Sequence, residues 1–227
     1  MNKLLLLTAT AVALVSPLQA QSDATVYIGH GINGTDLGLS ESLPVDIVVN
    51  GGVLLAGVEF RTFTDALALA PGAYSIQISP ADAGNPGSQP ALIDVTVDLF
   101  SGENATILAH LDDTGAATAS KFVNATTVSL QFGGLLSAQH TAWAPAVDIR
   151  ARRLFNSSTL IVPNVTNGLQ AAGQLKAGVY GIDLVAAGTT TRVLGPAFVP
   201  VLPDSRTALY VVGSLGNGTL EILSLSY

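Results

Sequence analysis

Charged and apolar side chains alternate in the run Val147-Asp148-Ile149-Arg150-Ala151-Arg152. Successive side chains of a β-strand point to opposite faces, so Asp148, Arg150 and Arg152 are predicted to share one face, with neighbours ~6.6 Å apart. Such a row would suit the recognition of a polar ligand. A solvated strand face fits the same pattern, because exposed ion pairs contribute only ~0–1 kcal/mol to stability and imply no ligand.

Trp143, the only tryptophan of the chain, stands just before this strand and beside Pro145. An indole ring at the mouth of a strand either stacks on the apolar face of a sugar ring or packs as a hydrophobic anchor. Trp143 therefore joins Asp148, Arg150 and Arg152 as the candidate ligand-binding residues.

The three histidines, His30, His110 and His140, do not have the close spacing to other ligands that a zinc site needs. His30 and His140 both precede a Val-Asp strand, so we expect each to stabilise a turn by a hydrogen bond. Asp46 and Asp148 occupy matching places in those strands, which favours a shared structural role such as binding a neighbouring turn. The carboxylates of Asp112 and Asp113 fall short of the six to eight oxygens that calcium takes.

Sequence motifs for catalysis are missing: the chain has no cysteine, no Gly-x-Ser-x-Gly elbow and no phosphate loop or dinucleotide fingerprint. We therefore predict a protein that is not an enzyme, with no catalytic residue, no cofactor and no metal.

The elements that would position these residues are short strands separated by Gly, Pro, Asn and Asp. Asn50-Gly51 favours a tight hairpin, since both residues accept a positive φ. No long segment sustains a helical period, although Thr64 to Ala70 is compatible with one helical turn. The chain is predicted to be all-β, with first-half strands near residues 25–29, 45–49, 52–56, 74–78, 91–99, 105–111 and 117–123.

Two short sequence motifs each occur twice, about a hundred residues apart. Pro44-Val45-Asp46-Ile47 matches Ala146-Val147-Asp148-Ile149, and Gly72-Ala73-Tyr74 matches Gly178-Val179-Tyr180. Repeated anchors in the same order indicate a repeated domain. About a hundred residues per copy suit two tandem immunoglobulin-like β-sandwich domains, at residues 21–124 and 125–227, with Tyr74 and Tyr180 buried and their hydroxyls bonded to backbone.

Residues 1–20 have the features of a cleaved secretory signal peptide, with Lys3, a short apolar run and the small-residue exit Leu18-Gln19-Ala20. We expect an exported protein, whether periplasmic, on the cell surface or secreted, that does not span the membrane. Without Lys3, eight basic residues face sixteen acidic ones, so a nucleic acid partner is not expected.

The stretch from His140 to Ile149, followed some thirty residues later by a Gly-x-Tyr strand, resembles the bacterial domain-of-unknown-function 4397 (DUF4397) family. The first half carries a looser version, Gly29-His30-Gly31 and then Leu43-Pro44-Val45-Asp46, so the resemblance covers two tandem copies. It implies an exported or cell-surface β-sandwich without established catalytic residues.

Three functions fit this sequence. The first is a non-catalytic envelope or surface module of adhesion type that binds a protein or glycan. The second is a structural subunit of an extracellular assembly, a possible homo-oligomer joined through strand edges that carry few charges. The third is an outer-membrane β-barrel, prompted by the strand from Leu220 to Tyr227, although 6% aromatic residues are few for its girdles.

Overall fold

The computed structural model describes residues 21–156 and 159–227, and the predicted signal peptide, residues 1–20, lies outside them. The described residues form strands joined by turns, with one short 3-10 helix at Gly34–Leu37. The all-β prediction is confirmed. The first eight strands are β1 (Ala24–His30), β2 (Val45–Val49), β3 (Gly52–Val58), β4 (Leu67–Leu69), β5 (Gly72–Pro80), β6 (Ile93–Leu99), β7 (Asn104–Leu111) and β8 (Ala117–Val123). The next eight are β9 (Gly133–His140), β10 (Val147–Arg153), β11 (Thr159–Val165), β12 (Gln170–Lys176), β13 (Gly178–Ala186), β14 (Arg192–Val201), β15 (Arg206–Val212) and β16 (Glu221–Ser226).

These strands build four sheets of four strands. In each half, the sheet that packs against the other half is called the inner sheet, and the second one is called the outer sheet. The first half has an inner sheet, β4-β1-β7-β8, and an outer sheet, β3-β2-β5-β6. The second half repeats this order as an inner sheet, β12-β9-β15-β16, and an outer sheet, β11-β10-β13-β14. Each inner sheet contains one parallel pair, β1 with β7 and β9 with β15, and the other pairs are antiparallel. The predicted architecture of two β-sandwiches is confirmed.

Each sandwich encloses its own apolar core, because the strands present alternate side chains to it. In β10, Val147, Ile149 and Ala151 are buried in the core, whereas Asp148 and Arg150 are only partly buried and Arg152 is exposed. The predicted alternation is therefore present. The residues at 64–70, compatible with a helical turn, instead contain the short edge strand β4.

A third apolar cluster joins the two sandwiches. Leu108 and Phe122 of the first inner sheet pack with Tyr210 and other residues of β15 and β16 in the second. At the edge of this contact, the Arg61 guanidinium lies between the carboxylates of Glu41 and Glu221, at 3.0 and 2.9 Å. The loops at the carboxyl ends of the parallel strand pairs of both halves are thereby brought together.

Asn50 and Gly51 connect β2 and β3 with φ angles of 50° and 81°, as the predicted tight hairpin requires. No helix among residues 21–156 and 159–227 is long and apolar enough to cross a membrane.

Candidate ligand-binding site

Two histidines stabilise equivalent loops, one after β1 and one after β9, by hydrogen bonds. His30 is buried at the end of β1, where its Nε2 lies 2.8 Å from the carbonyl oxygen of Leu43 and its Nδ1 accepts a bond from the Ile32 amide. His140 has the same place at the end of β9, with its Nε2 3.0 Å from the Pro145 carbonyl oxygen. Its Nδ1 accepts from the Ala142 amide. These contacts define neutral imidazoles with the proton on Nε2, and the predicted turn-stabilising role is confirmed.

Burial lowers the pKa of His30 and of His140, although the bonded carbonyls act in the opposite direction. Both imidazoles therefore stay neutral when the protein is folded at neutral pH. They support the loops and are not placed to take part in acid–base chemistry with a bound ligand.

Two aspartates hold equivalent bulges in the outer sheets. The Asp46 carboxylate is buried and accepts bonds of 2.9, 3.0 and 2.9 Å from the amides of Gly57, Asp82 and Gly87. Burial raises the pKa of Asp46, but the three amides outweigh it and hold the pKa below its usual value.

Asp148 accepts from the amides of Asn164 and Gly188, at 2.9 and 3.1 Å. Gly57 and Asn164 both have a positive φ where the strand pairing shifts register. The predicted turn-binding role of the two aspartates is thus present, and the Asp148 carboxylate is occupied by the chain itself.

The arginines beside Asp148 lie on the face of β10 that points away from the core. Arg150 donates from a terminal nitrogen to the Thr189 carbonyl oxygen, 3.2 Å away. Arg152 is exposed and forms no ion pair with any residue that the structure describes. Trp143 lines a surface groove that is described below, and neither arginine contributes to it. The four candidate residues therefore do not form one site, because Asp148, Arg150 and Arg152 lie on β10 and Trp143 lies in a loop.

Trp143 lies where loops of the two sandwiches meet. One face of its indole packs on Gly115, in the turn between β7 and β8, so closely that a Cβ there would lie 2.7 Å from the ring. Its backbone bonds to the loop after β15, from its amide to Gly213 and from the Leu215 amide to its carbonyl. The Trp143 residue remains 36% exposed.

The exposed side of Trp143 borders a groove of ≈ 450 Å³. The exposed carboxylate of Asp113, from the first sandwich, and the buried Ser214, from the second, both line its wall. Asp112 next to Asp113 shapes the turn, since its carboxylate accepts from the Thr114 amide and hydroxyl and from the Ala116 amide.

The groove combines a fixed aromatic surface with a carboxylate, which is a suitable arrangement for a ligand with both C–H faces and hydroxyl groups. Sequence reasoning nominated Trp143 but missed the support from Gly115 and the contributions of Asp113 and Ser214. The sequence Asp112-Asp113-Thr114-Gly115 predicts a turn, but the contact between this turn and Trp143 depends on how the two halves pack.

The fold is a double β-sandwich whose adjoining loops line a shallow groove beside Trp143. The model of the family described as a domain of unknown function (DUF4397) matches residues 24–150, and the chain belongs to this family. The match includes the His140 to Ile149 stretch on which the resemblance was based. A search of curated proteins finds no match.

Proposed function

We propose that this protein is a non-catalytic, exported module of the cell envelope that binds a glycan through the Trp143 groove. The proposal rests on the Trp143 indole, which packs on Gly115 on one side and lines the same groove as the Asp113 carboxylate. The C–H face of a pyranose ring would lie on the exposed side of Trp143, and its hydroxyl groups would donate to Asp113.

We further propose that residues 21–124 and 125–227 are tandem copies of the family's domain. Equal strand order and the paired roles of His30 with His140 and Asp46 with Asp148 support this reading. So do Tyr74 and Tyr180, whose hydroxyls each donate to the carbonyl four residues earlier. The glycan groove then arises only where two copies meet.

The single tryptophan provides a direct test. Intrinsic fluorescence of the protein, titrated with soluble oligosaccharides of bacterial and plant cell walls, should shift for at least one sugar. Trp143→Ala and Asp113→Asn should each weaken binding measured by calorimetry, while Asp65→Asn, on the exposed surface elsewhere, should bind as wild type does. Binding that is unchanged in both groove variants would refute the glycan site.

Export and surface exposure form a separate test. Protease added to intact cells should digest a surface protein, whereas a periplasmic protein should resist until the outer membrane is permeabilised. Digestion before permeabilisation would support a role in adhesion, and resistance would direct the glycan search toward ligands inside the envelope.

Assembly through strand edges is a second candidate, favoured by the edge strands β3 and β11. Both are free of charged residues, and they expose Val53 and Leu54 on β3 and Leu160 and Ile161 on β11. Uncharged apolar edges promote association, although the bulge in each one limits it. Sedimentation should then show concentration-dependent oligomers that the double variant Val53→Lys/Ile161→Lys abolishes.

A further inference from the structure

The core of the second sandwich contains an apolar cavity. It has a volume of ≈ 70 Å³ and lies between the two sheets of this half, beside the edge strands β11 and β12. Its walls are aliphatic, apart from Ser137, and the small residues Ala138, Ala151 and Gly173 are among those that line it. An apolar lining offers water few hydrogen-bond partners and therefore favours an apolar guest.

The first sandwich shows why the cavity exists. Ile28 and Ala138 are equivalent, since each faces its parallel partner strand at the same register, Ile107 and Leu209. Ile28 fills the first core, whereas Ala138 is three carbons shorter.

Two more positions follow the same trend. Leu67, paired with Val26 on β1, is replaced by Gly173, paired with Leu136 on β9. Val49 in β2 is replaced by Ala151 in β10. A Cβ built on Gly173 meets no atom within 4 Å, so the space that Leu67 occupies in one half is open in the other.

The cavity continues into a wider mouth that carries positive charge. The mouth has a volume of ≈ 550 Å³ and shares Ala151, Leu160 and Leu175 with the cavity wall. Arg153 and Lys176 lie on its rim, and none of its lining residues is acidic. Arg153 is held in place by a bond from its guanidinium to the Ala177 carbonyl oxygen.

The charged residues are distributed unevenly between the two halves of the chain. Residues 21–124 hold twelve acidic and two basic residues, whereas residues 125–227 hold four acidic and six basic ones. An anionic ligand would be repelled by the first half and attracted to the mouth in the second. The net charge of the whole chain conceals this difference.

We propose that the second sandwich binds an amphiphile with an anionic head and an aliphatic chain, the chain end entering the cavity between β11 and β12 and the head meeting Arg153 and Lys176. The volume is roughly half the ~150 Å³ of a cavity known to hold benzene, so it accommodates the last few carbons of a chain. The rest of the chain lies along Leu160 and Leu175 in the mouth.

The test is calorimetry of the protein with octanoate, decanoate and dodecanoate below their micelle concentrations. Binding should be one to one, and each added methylene that enters the apolar site should tighten it about fourfold. Gly173→Leu introduces the leucine found at the equivalent position of the first half, Leu67. Because this side chain would fill the cavity, it should weaken dodecanoate binding more than tenfold. Ala73→Leu, at an exposed position of the first half, adds the same kind of side chain and should leave binding unchanged.

The head is tested separately. Lys176→Ala should weaken dodecanoate binding by up to about fivefold and should not weaken binding of dodecyltrimethylammonium, whose head is positive. If Gly173→Leu proves poorly folded by circular dichroism, Ala138→Ile provides a second filling variant. The inference fails if dodecanoate does not bind, or if folded filling variants bind it as tightly as wild type.

Free fatty acids and anionic phospholipids share this chemistry. Binding to dodecanoate without flotation on phosphatidylglycerol vesicles would assign a soluble amphiphile as the ligand. Flotation that Gly173→Leu abolishes would assign a membrane lipid. Flotation that the filling variants do not change would place lipid contact outside the cavity and overturn the inference.

Discussion

Ile28 and Leu67 fill the core of the first sandwich at positions where Ala138 and Gly173 leave the second one partly open. The hydrogen-bonded turns are nevertheless the same in both halves, including those of His30 and His140. Residues that close turns by hydrogen bonds must keep their geometry, because a buried unpaired polar group is costly. Core volume can differ more freely at the cost of a cavity, and that is where the halves diverge.

The largest expected effect concerns the two bulge aspartates. Asp46→Ala should lower the free energy of unfolding by about 3–5 kcal/mol, because three amides lose a charged acceptor in a buried site. Asp148→Ala should cost about 1–2 kcal/mol, since two amides are involved and water reaches them more easily. Urea unfolding at pH 7 measures both values. Equal losses would show that burial does not distinguish the two bulges.

The junction between the halves gives the next effect. Gly115→Ala adds a Cβ within 2.7 Å of the Trp143 ring at a φ of 85°, whereas Gly102→Ala has a φ of 69° and meets no atom within 4 Å. Both substitutions strain the backbone by about 1–2 kcal/mol, but Gly115→Ala should cost about 1–3 kcal/mol more from overpacking. It should also shift the tryptophan emission. A matching loss of stability in both variants would contradict the close packing at Trp143.

Acid should destabilise the fold through its buried histidines. Burial lowers the pKa of His30, His110 and His140. The unfolded chain takes up protons near pH 6.5 while the folded chain resists them, so the free energy of unfolding falls as pH drops below about 6.5.

Each of these histidines contributes at most about 1.4 kcal/mol per pH unit in that window. His140→Asn should therefore flatten the dependence measured by urea unfolding between pH 7.5 and 5.5, and His30→Asn should flatten it similarly if the two turns are equivalent. Asp46 and Asp112 do not contribute there, because the pKa of each is below its usual acidic value. An unchanged slope in both variants would rule out the neutral, buried imidazoles.

The smallest effect tests the open core directly. Gly173→Ala should stabilise the protein by about 0.5–1 kcal/mol, because alanine loses less backbone entropy in a strand and its methyl group enters open space. Gly181→Ala places a Cβ 3.6 Å from the Phe198 ring on the outward face and serves as the control. Thermal unfolding compares the two. Destabilisation by Gly173→Ala alone would show that the space is not open.

Local sequence patterns predicted much of the fold. The predicted bounds of β2 and β8 agree with the structure, and the neighbouring strands differ by one to a few residues at their ends. The tight Asn50-Gly51 turn was also predicted. The edge strand β4 was missed, because three residues carry too little of a period to reveal a strand.

The candidate site was predicted less completely. Trp143 was nominated from its type and its place before a strand, and Asp148 proved to bind the turns that its match with Asp46 suggested. The sequence could not link Trp143 to Gly115 or to Asp113, because these residues lie in different halves of the chain.

Period-two alternation, turn residues and two matching phrases were enough to determine an all-β chain with two similar halves, since these features depend on neighbours along the backbone. The groove beside Trp143 and the cavity between β11 and β12 were decided only by the tertiary structure. The first needs loops from both sandwiches, and the second needs small side chains from β9, β10 and β12 to face one another. Contacts between residues far apart in the sequence set the volume and charge of both sites, and no local pattern records them.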